Sequence, residues 1–289
     1  MKVLEREYEA FDVDDNKWAA DKPMGISGCF RLKDEAEFMC QAVESHLPYL
    51  DEAVLAVQPS QDSTVELAYL LQRVHPDKVR VVEYPVSPHF IDMPEFYTDP
   101  ENSIHSFVYL SNWALAQCKY RWIAKTEGDV IALSSFGRLV QTVRMFPDRR
   151  ALYGRVILNV AGKARDCISW ENPRNGGWDE SVIPNHPDFH FIRRDKWEVM
   201  VHPADIMTVC MGWSALHMKR CKAEFLPGPW NGERYVEWTR ESVARACAAY
   251  NASRGWYPGN DGDALGQGDC LYEQTLATDA QAQPRLEML

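Results

Sequence analysis

Along the chain, the spacing of apolar positions switches repeatedly between the period of a strand and that of a helix. Residues 24–32, Met-Gly-Ile-Ser-Gly-Cys-Phe-Arg-Leu, read as a first strand. Phe38, Met39, Ala42 and Val43 then recur at helical spacing, in a helix that Asp34 can cap and that ends near His46 and Pro48. Ala53-Val-Leu-Ala-Val57 is a short continuous apolar run, the form expected of a strand buried on both faces. A turn over residues 59–64 can cap the next helix, residues 65–74, which is apolar along Leu67, Leu70 and Leu71. Residues 78–84 form a third strand. The stretch 85–102 carries four prolines and reads as an active-site loop or insertion. A helix over 103–118 and a fourth strand over 121–132 follow. Strands separated by helices of this length predict βαβ units and a parallel sheet, with ligands at the carboxyl ends of the strands.

The second half is less regular. Residues 136–146 have helical amphipathicity and 151–160 can be another strand, but 167–187 are rich in Gly, Pro, Asn and Trp and show little periodicity. Loops that long in a compact domain are usually functional or disordered, and the density of Trp and Pro argues against disorder. Residues 235–250 read as a surface helix. After Gly255 the chain becomes loop-like, and its last dozen residues read as an unpacked tail.

One segment concentrates chemistry. Trp122-Ile-Ala-Lys-Thr-Glu-Gly-Asp129 is an apolar strand that ends on two carboxylates, Glu127 and Asp129. Unpaired buried carboxylates are costly. In an extended chain residues i and i+2 share a side, so the two acids can converge on one divalent cation whose shell diphosphate oxygens complete. A strand-end turn with both acids in water is the plainer alternative. Lys125, two residues earlier, can face the same side, either toward phosphates or as the partner of a nearby acid.

Composition narrows the classes. A chain of 289 residues, 46% hydrophobic, can bury a sizeable core as one large or two small domains. Its net charge of −11 comes without a basic stripe, which argues against nucleic acid as a partner. No apolar run reaches the length of about 18 residues that a transmembrane helix needs. The start, Met-Lys-Val-Leu-Glu-Arg-Glu, carries acids where a signal peptide needs a basic beginning and an apolar centre. A cytoplasmic protein is therefore expected. The eight cysteines form no CxxC pair, so they read as free thiols in apolar settings, without a disulfide or zinc framework.

Taken in order, several segments resemble the GT-A fold glycosyltransferases, in particular their bacterial family-2-like group, over roughly residues 25–219. Gly28-Cys-Phe-Arg-Leu-Lys-Asp-Glu35 is similar to the family's first strand and turn, with Asp34-Glu35 where Asn-Glu usually stands. Asp51-Glu52 precedes the second strand as the family's Asp-Glu does, and Ser60-Gln-Asp62-Ser-Thr64 is similar to its Ser-Thr-Asp-x-Thr turn. Glu127-Gly-Asp129 stands where these enzymes carry a metal-binding Asp-x-Asp, with Glu replacing the first Asp. Gly176-Gly-Trp-Asp179-Glu180 resembles the segment that carries the catalytic base. Cys210-Met-Gly-Trp-Ser-Ala-Leu-His217-Met-Lys219 looks like the stretch in which a histidine completes the metal shell.

The resemblance implies a GT-A (Rossmann-like) α/β fold: a mixed, mostly parallel sheet flanked by helices, with an irregular acceptor-side half and a C-terminal helix. It divides the chain into an N-terminal extension (1–23), a nucleotide-sugar-binding half (24–134), an acceptor and catalytic-base half (135–254) and a tail (255–289). It implies inverting, metal-dependent transfer of a sugar from a nucleoside diphosphate to a glycan or lipid-linked glycan, such as lipopolysaccharide or capsule, at the membrane's inner face. Asp129, Glu127 and His217 would hold Mn²⁺ or Mg²⁺. Arg31, Gln58, Asp62, Lys125, Glu127 and Lys219 would contact the donor, with Glu127 nearer the ribose or sugar and Gln58 reading the base where relatives carry an acid. Asp179 or Glu180, the former preferred, would take the acceptor proton. Trp178 and Trp213 would stack on the acceptor, although tryptophans there suit an ordinary core as well.

Two other classes fit parts of the pattern. The Asp-to-Glu change at 127 and the missing base-binding acid permit a sugar-binding or scaffold protein that has lost catalysis. His75-Pro-Asp77 and His186-Pro-Asp188 have the His-x-Asp spacing of non-haem iron oxygenases, for which His190 or His217 would supply the second histidine. That chemistry belongs to a double-stranded β-helix, however, and this chain alternates strands with helices.

Overall fold

A computed structural model describes residues 1–90, 93–145, 151–161, 166–171, 181–194 and 197–220. The βαβ series of the first half is present: β1 (Ile26–Leu32), α2 (Met39–His46), β2 (Glu52–Val57), α3 (Thr64–Val74), β3 (Val79–Glu83), α4 (Phe107–Ala116) and β4 (Trp122–Glu127), preceded by a short α1 (Asp15–Ala19). Then come β5 (Val130–Ala132), α5 (Ser134–Met145), β6 (Ala151–Ala161), β7 (Asp166–Glu171), β8 (Ser181–Pro184), β9 (His190–Arg194), β10 (Trp197–Val201) and β11 (Met207–Arg220). The main sheet runs β3-β2-β1-β4-β8-β6-β11-β5, with β7 beside β6. Strands β3, β2, β1 and β4 are mutually parallel, β8 is antiparallel to both its neighbours, β11 is parallel to β6, and β5 is antiparallel to β11. The expected mixed α/β sheet flanked by helices is what the chain forms.

Each face of this sheet has its own core. On one, Phe30, Leu32, Leu55, Val57, Trp122 and Ala124 pack under α2, α3 and α5. His46 is fully buried there, its ring edge-on to Phe30 and Phe136 and its Nδ1 on the Ala42 carbonyl, so it serves as a satisfied core residue. On the other, Cys29, Val54, Ala56 and Ile123 meet α4 and the N-terminal segment through Val3, Val13 and Trp18. The N-terminal segment thus contributes Val3, Val13 and Trp18 to this core, while most of its other residues are exposed or half-buried. Helix α4 is buried along nearly its whole length, from Val108 to Leu115, because the sheet lies on one side and the β9–β10 hairpin on another. Asn112 ties the two together: its amide donates to the Phe191 carbonyl (2.8 Å) and accepts the Phe191 N–H (2.7 Å).

Four sequence expectations need correction. Residues 121–132 are two strands separated by a turn at Gly128-Asp129, because the chain leaves the parallel ladder of β4 and joins antiparallel β11 as β5. Asp34 caps no helix; it sits at φ 53° and accepts the Gln61 N–H, and α2 begins four residues beyond Glu35. The stretch 167–187 is not uniformly irregular, since β7 and β8 carry part of it. Residues 210–219 lie on β11, a long strand the sequence reading did not assign. The expected helix over 235–250 and the tail beyond Gly255 lie outside the described residues.

Candidate active site

The carboxyl ends of β1, β2 and β4 share one edge of the sheet, and the candidate site is built there. Strand β4 ends on Glu127, whose register partner on β1 is Arg31. The chain then turns tightly at Gly128. A Cβ at that position would come within 2.7 Å of Leu32 and 2.8 Å of the Glu35 side chain, so the turn depends on glycine for close approach. Asp129 follows, 2% exposed, and its carbonyl accepts the Met218 N–H at 2.8 Å.

Strand β11 supplies the third group. His217 is the register partner of Val130, which places its Nε2 3.4 Å from Asp129 Oδ1 and 3.9 Å from Glu127 Oε2. One ligating atom from each of Glu127, Asp129 and His217 lies within 4.8 Å of the other two. Ligand atoms about 2.0–2.2 Å from one ion stand between about 3 and 4.4 Å apart in octahedral geometry; both His217 separations fall in that range, and the 4.8 Å bound on the group is close enough to it for the three side chains to hold a divalent cation with small adjustments. The donor set suits Mn²⁺ or Mg²⁺ better than a soft metal, since it contains no thiolate. The convergence expected of Glu127 and Asp129 therefore occurs, but through a turn and a distant strand and not along one extended strand.

Behind Glu127 lies a buried ion pair. One guanidinium nitrogen of Arg31 donates to both Glu198 oxygens at 2.9 Å and also to Ser111 Oγ, and its other terminal nitrogen is 3.7 Å from Glu127 Oε1. The Arg31 guanidinium lies 4.7 Å from the Phe107 ring centroid and 5.9 Å from that of Phe191. The side chains of Arg31 and Glu198 are 7% and 5% exposed. Glu198 stands on β10, where one acid in an alternating Trp-Glu-Val-Met-Val strand gives no sign of its partner.

The remaining donor-side residues divide by what they touch. Lys125 is 1% exposed, on the same face as Glu127 two residues back, with its ammonium 5.4 Å from the ring centroid of Phe191 on β9. Gln58, just past β2, is 3% exposed, and its Oε1 has no hydrogen-bond partner among the described residues. Asp62 braces two loops. Its Oδ1 accepts the Thr64 N–H (2.9 Å) and hydroxyl (2.5 Å), and its Oδ2 accepts the Ala36 N–H (3.0 Å). The Thr64 hydroxyl in turn accepts the Glu35 N–H at 2.7 Å. Burial works to raise the Asp62 carboxyl, but the bonds from Thr64 and Ala36 outweigh it and hold it below the ordinary value. Lys219 and Trp213 belong to β11 by backbone, with their side chains outside the described residues, as are Trp178, Asp179 and Glu180 altogether.

The histidines of the iron alternative do not assemble. His186 accepts the Asp188 N–H (3.2 Å) within its own turn, and His190 Nδ1 lies on the Pro187 carbonyl. Among the described residues, Glu127, Asp129 and His217 form the one group of three ligating side chains within mutual reach. The mixed α/β sheet flanked by helices also excludes the β-helix that reading requires.

Fold and site together define an α/β protein in which two carboxylates and an imidazole that could hold a cation meet at the carboxyl edge of the sheet. No protein-family model matches the chain, and no curated protein does. Among solved structures it is similar to S. aureus TarS 1–349, at 10% identity and a TM-score of 0.41, over 78% of this chain and 65% of that one. The same protein in complex with UDP-GlcNAc gives 11% identity and 0.42, over 78% and 66%. Glucosyl-3-phosphoglycerate synthase from Mycobacterium tuberculosis, in complex with Mn²⁺, UDP and glucosyl-3-phosphoglycerate, gives 10% and 0.37, over 90% and 88%. The chain spans just under two thirds of TarS 1–349 and 39% of a longer TarS structure. Likenesses at this level leave the functional reading to the site itself.

Proposed function

We propose that the chain is a metal-dependent, inverting glycosyltransferase that moves a sugar from a nucleoside-diphosphate sugar to a glycan or lipid-linked glycan acceptor, of the bacterial surface-glycan kind. The observation that carries this reading is the convergence of Glu127, Asp129 and His217 at the carboxyl ends of parallel strands, on residues whose order and spacing resemble the family's motifs. Glu127, Asp129 and His217 would hold the divalent cation. Bound there, the ion would supply positive charge to the departing diphosphate.

The chain's own residues divide the remaining work. The Gln58 amide, at the end of β2, would read the base edge, its buried carbonyl oxygen offering an acceptor. Asp62 fixes the relative position of the loops after β1 and β2, which would frame the donor. Asp179, or its neighbour Glu180, would take the proton of the acceptor hydroxyl as that oxygen bonds the anomeric carbon and the bond to the diphosphate breaks. Trp178 and Trp213 would offer ring faces to the acceptor, and Lys219 charge to the phosphates. A peripheral site at the inner face of the membrane suits a lipid-linked acceptor; no described helix is long and apolar enough to cross a bilayer.

The test is a screen for sugar release or transfer from UDP-, dTDP-, GDP- and CMP-sugars with Mn²⁺ present. One donor is expected to be consumed, and Asp129→Ala is expected to lose about 10³-fold in rate, the several kcal/mol that charge stabilisation by a metal contributes. Full activity of Asp129→Ala would sink the metal assignment.

A further inference from the structure

We infer that Arg31 and Glu198 are positioning residues: a buried ion pair that sets which oxygen of Glu127 faces the cation site. The inference rests on the metal reading above and goes beyond it, because neither residue touches the proposed ion.

Glu127 divides its carboxylate. Oε1 faces the Arg31 guanidinium at 3.7 Å, and Oε2 faces His217 Nε2 at 3.9 Å. A glutamate spans that gap where an aspartate is one methylene shorter, which gives the departure at 127 a physical purpose. Arg31 keeps its charge at any accessible pH. Left alone 3.7 Å away, it would compete with a cation for Glu127. Glu198 removes most of that competition by taking one guanidinium nitrogen with both oxygens at 2.9 Å. Phe107 and Phe191 pack by the guanidinium and Ser111 accepts from it, so the arginine cannot swing toward the cation site. Glu127 thereby keeps one oxygen anchored and the other available. Groups that orient a ligand in this way typically affect metal affinity by about 10- to 100-fold.

The test is Mn²⁺ titration of the full chain without nucleotide, read from the electron paramagnetic resonance signal of free Mn²⁺, with melting temperatures measured alongside. Glu198→Gln keeps the shape of the side chain and removes its charge, which turns the full charge of Arg31 onto Glu127. A fall in affinity of about 10- to 100-fold is expected. In a Glu127→Gln background the same change is expected to do nothing further, because the carboxylate through which the pair acts is gone. If wild type binds no Mn²⁺, the metal reading itself fails. If wild type binds and Glu198→Gln binds equally well, the inference alone fails. It fails too if Glu198→Gln weakens binding by the same factor in the Glu127→Gln background, since that marks a general distortion. Should Glu198→Gln not fold, the double variant Arg31→Gln/Glu198→Gln removes both buried charges together, a change proteins tolerate well. It leaves Glu127 without its anchor, and affinity is expected to fall about tenfold; wild-type affinity would overturn the inference.

Discussion

His217 reaches Asp129 because it forms the last pair of the antiparallel β11–β5 ladder, and Asp129 immediately precedes its partner Val130. Register pairing of His217 with Val130 sets the imidazole Nε2 3.4 Å from Asp129 Oδ1, and the Met218 N–H closes the contact on the Asp129 carbonyl. The site is therefore only as good as the docking of β11 on β5.

His217→Ala follows from that contact. The variant keeps the backbone ladder, so its melting temperature is expected to fall by only a few degrees for the buried volume lost. Mn²⁺ affinity is expected to fall by at least about 100-fold, beyond the loss typical of groups that merely orient a ligand. Titration with Mn²⁺ beside a thermal melt separates the two effects, and unchanged affinity would remove His217 from the ligand set.

Gly128 makes a second prediction. Its missing Cβ is what lets Leu32 and Glu35 lie against the turn between Glu127 and Asp129. Gly128→Ala forces a shift in one of them, at a cost of about 1–3 kcal/mol. Because the same turn sets the spacing of the two acids, metal affinity is expected to fall as well. A denaturant melt checks the first effect; wild-type stability would show that Glu35 simply moves aside.

These contacts also mark how far the sequence could be read. The continuous run Ala53-Val-Leu-Ala-Val57 and the helical spacing of Leu67, Leu70 and Leu71 were legible because burial on the sheet or under it leaves a local pattern. Glu127 and Asp129 stood out because charge at the end of an apolar strand is expensive. The turn between them was not legible, since Val130-Ile-Ala132 continues the apolar run and only its pairing with β11 makes it a separate strand. The Arg31–Glu198 pair was invisible for a related reason: each acid or base sits in an ordinary strand pattern, and only the docking of the β9–β10 hairpin on α4 brings them together.

Asp62 gives a pH prediction. Its folded pKa lies below the ordinary 3.8, so its ionised form is favoured by folding. The stabilisation is present above the unfolded value and is lost as pH falls through the folded one. Asp62→Asn is therefore expected to be less stable than wild type near neutral pH, with the gap closing below about pH 4. Melts across pH 2–7 check this. A gap that stays constant would mean that the loops are held by Thr64 without help from the carboxylate charge.

Gln58 separates stability from function. Its Oε1 is buried without a partner among the described residues, and a buried acceptor left unsatisfied costs about 1–3 kcal/mol. A chain selected for stability alone would do better with an apolar side chain of that size. Gln58→Leu is accordingly expected to keep or raise the melting temperature. If the oxygen is kept for a nucleotide base, the same variant loses a hydrogen bond that the bound base would have made, and nucleoside-diphosphate affinity should fall about tenfold, or 1.4 kcal/mol. Calorimetry with UDP, dTDP, GDP and CDP, run on both proteins in Mn²⁺, reads the loss and shows which base suffers it. A more stable variant with undiminished affinity for all four would show that Gln58 does not read the base.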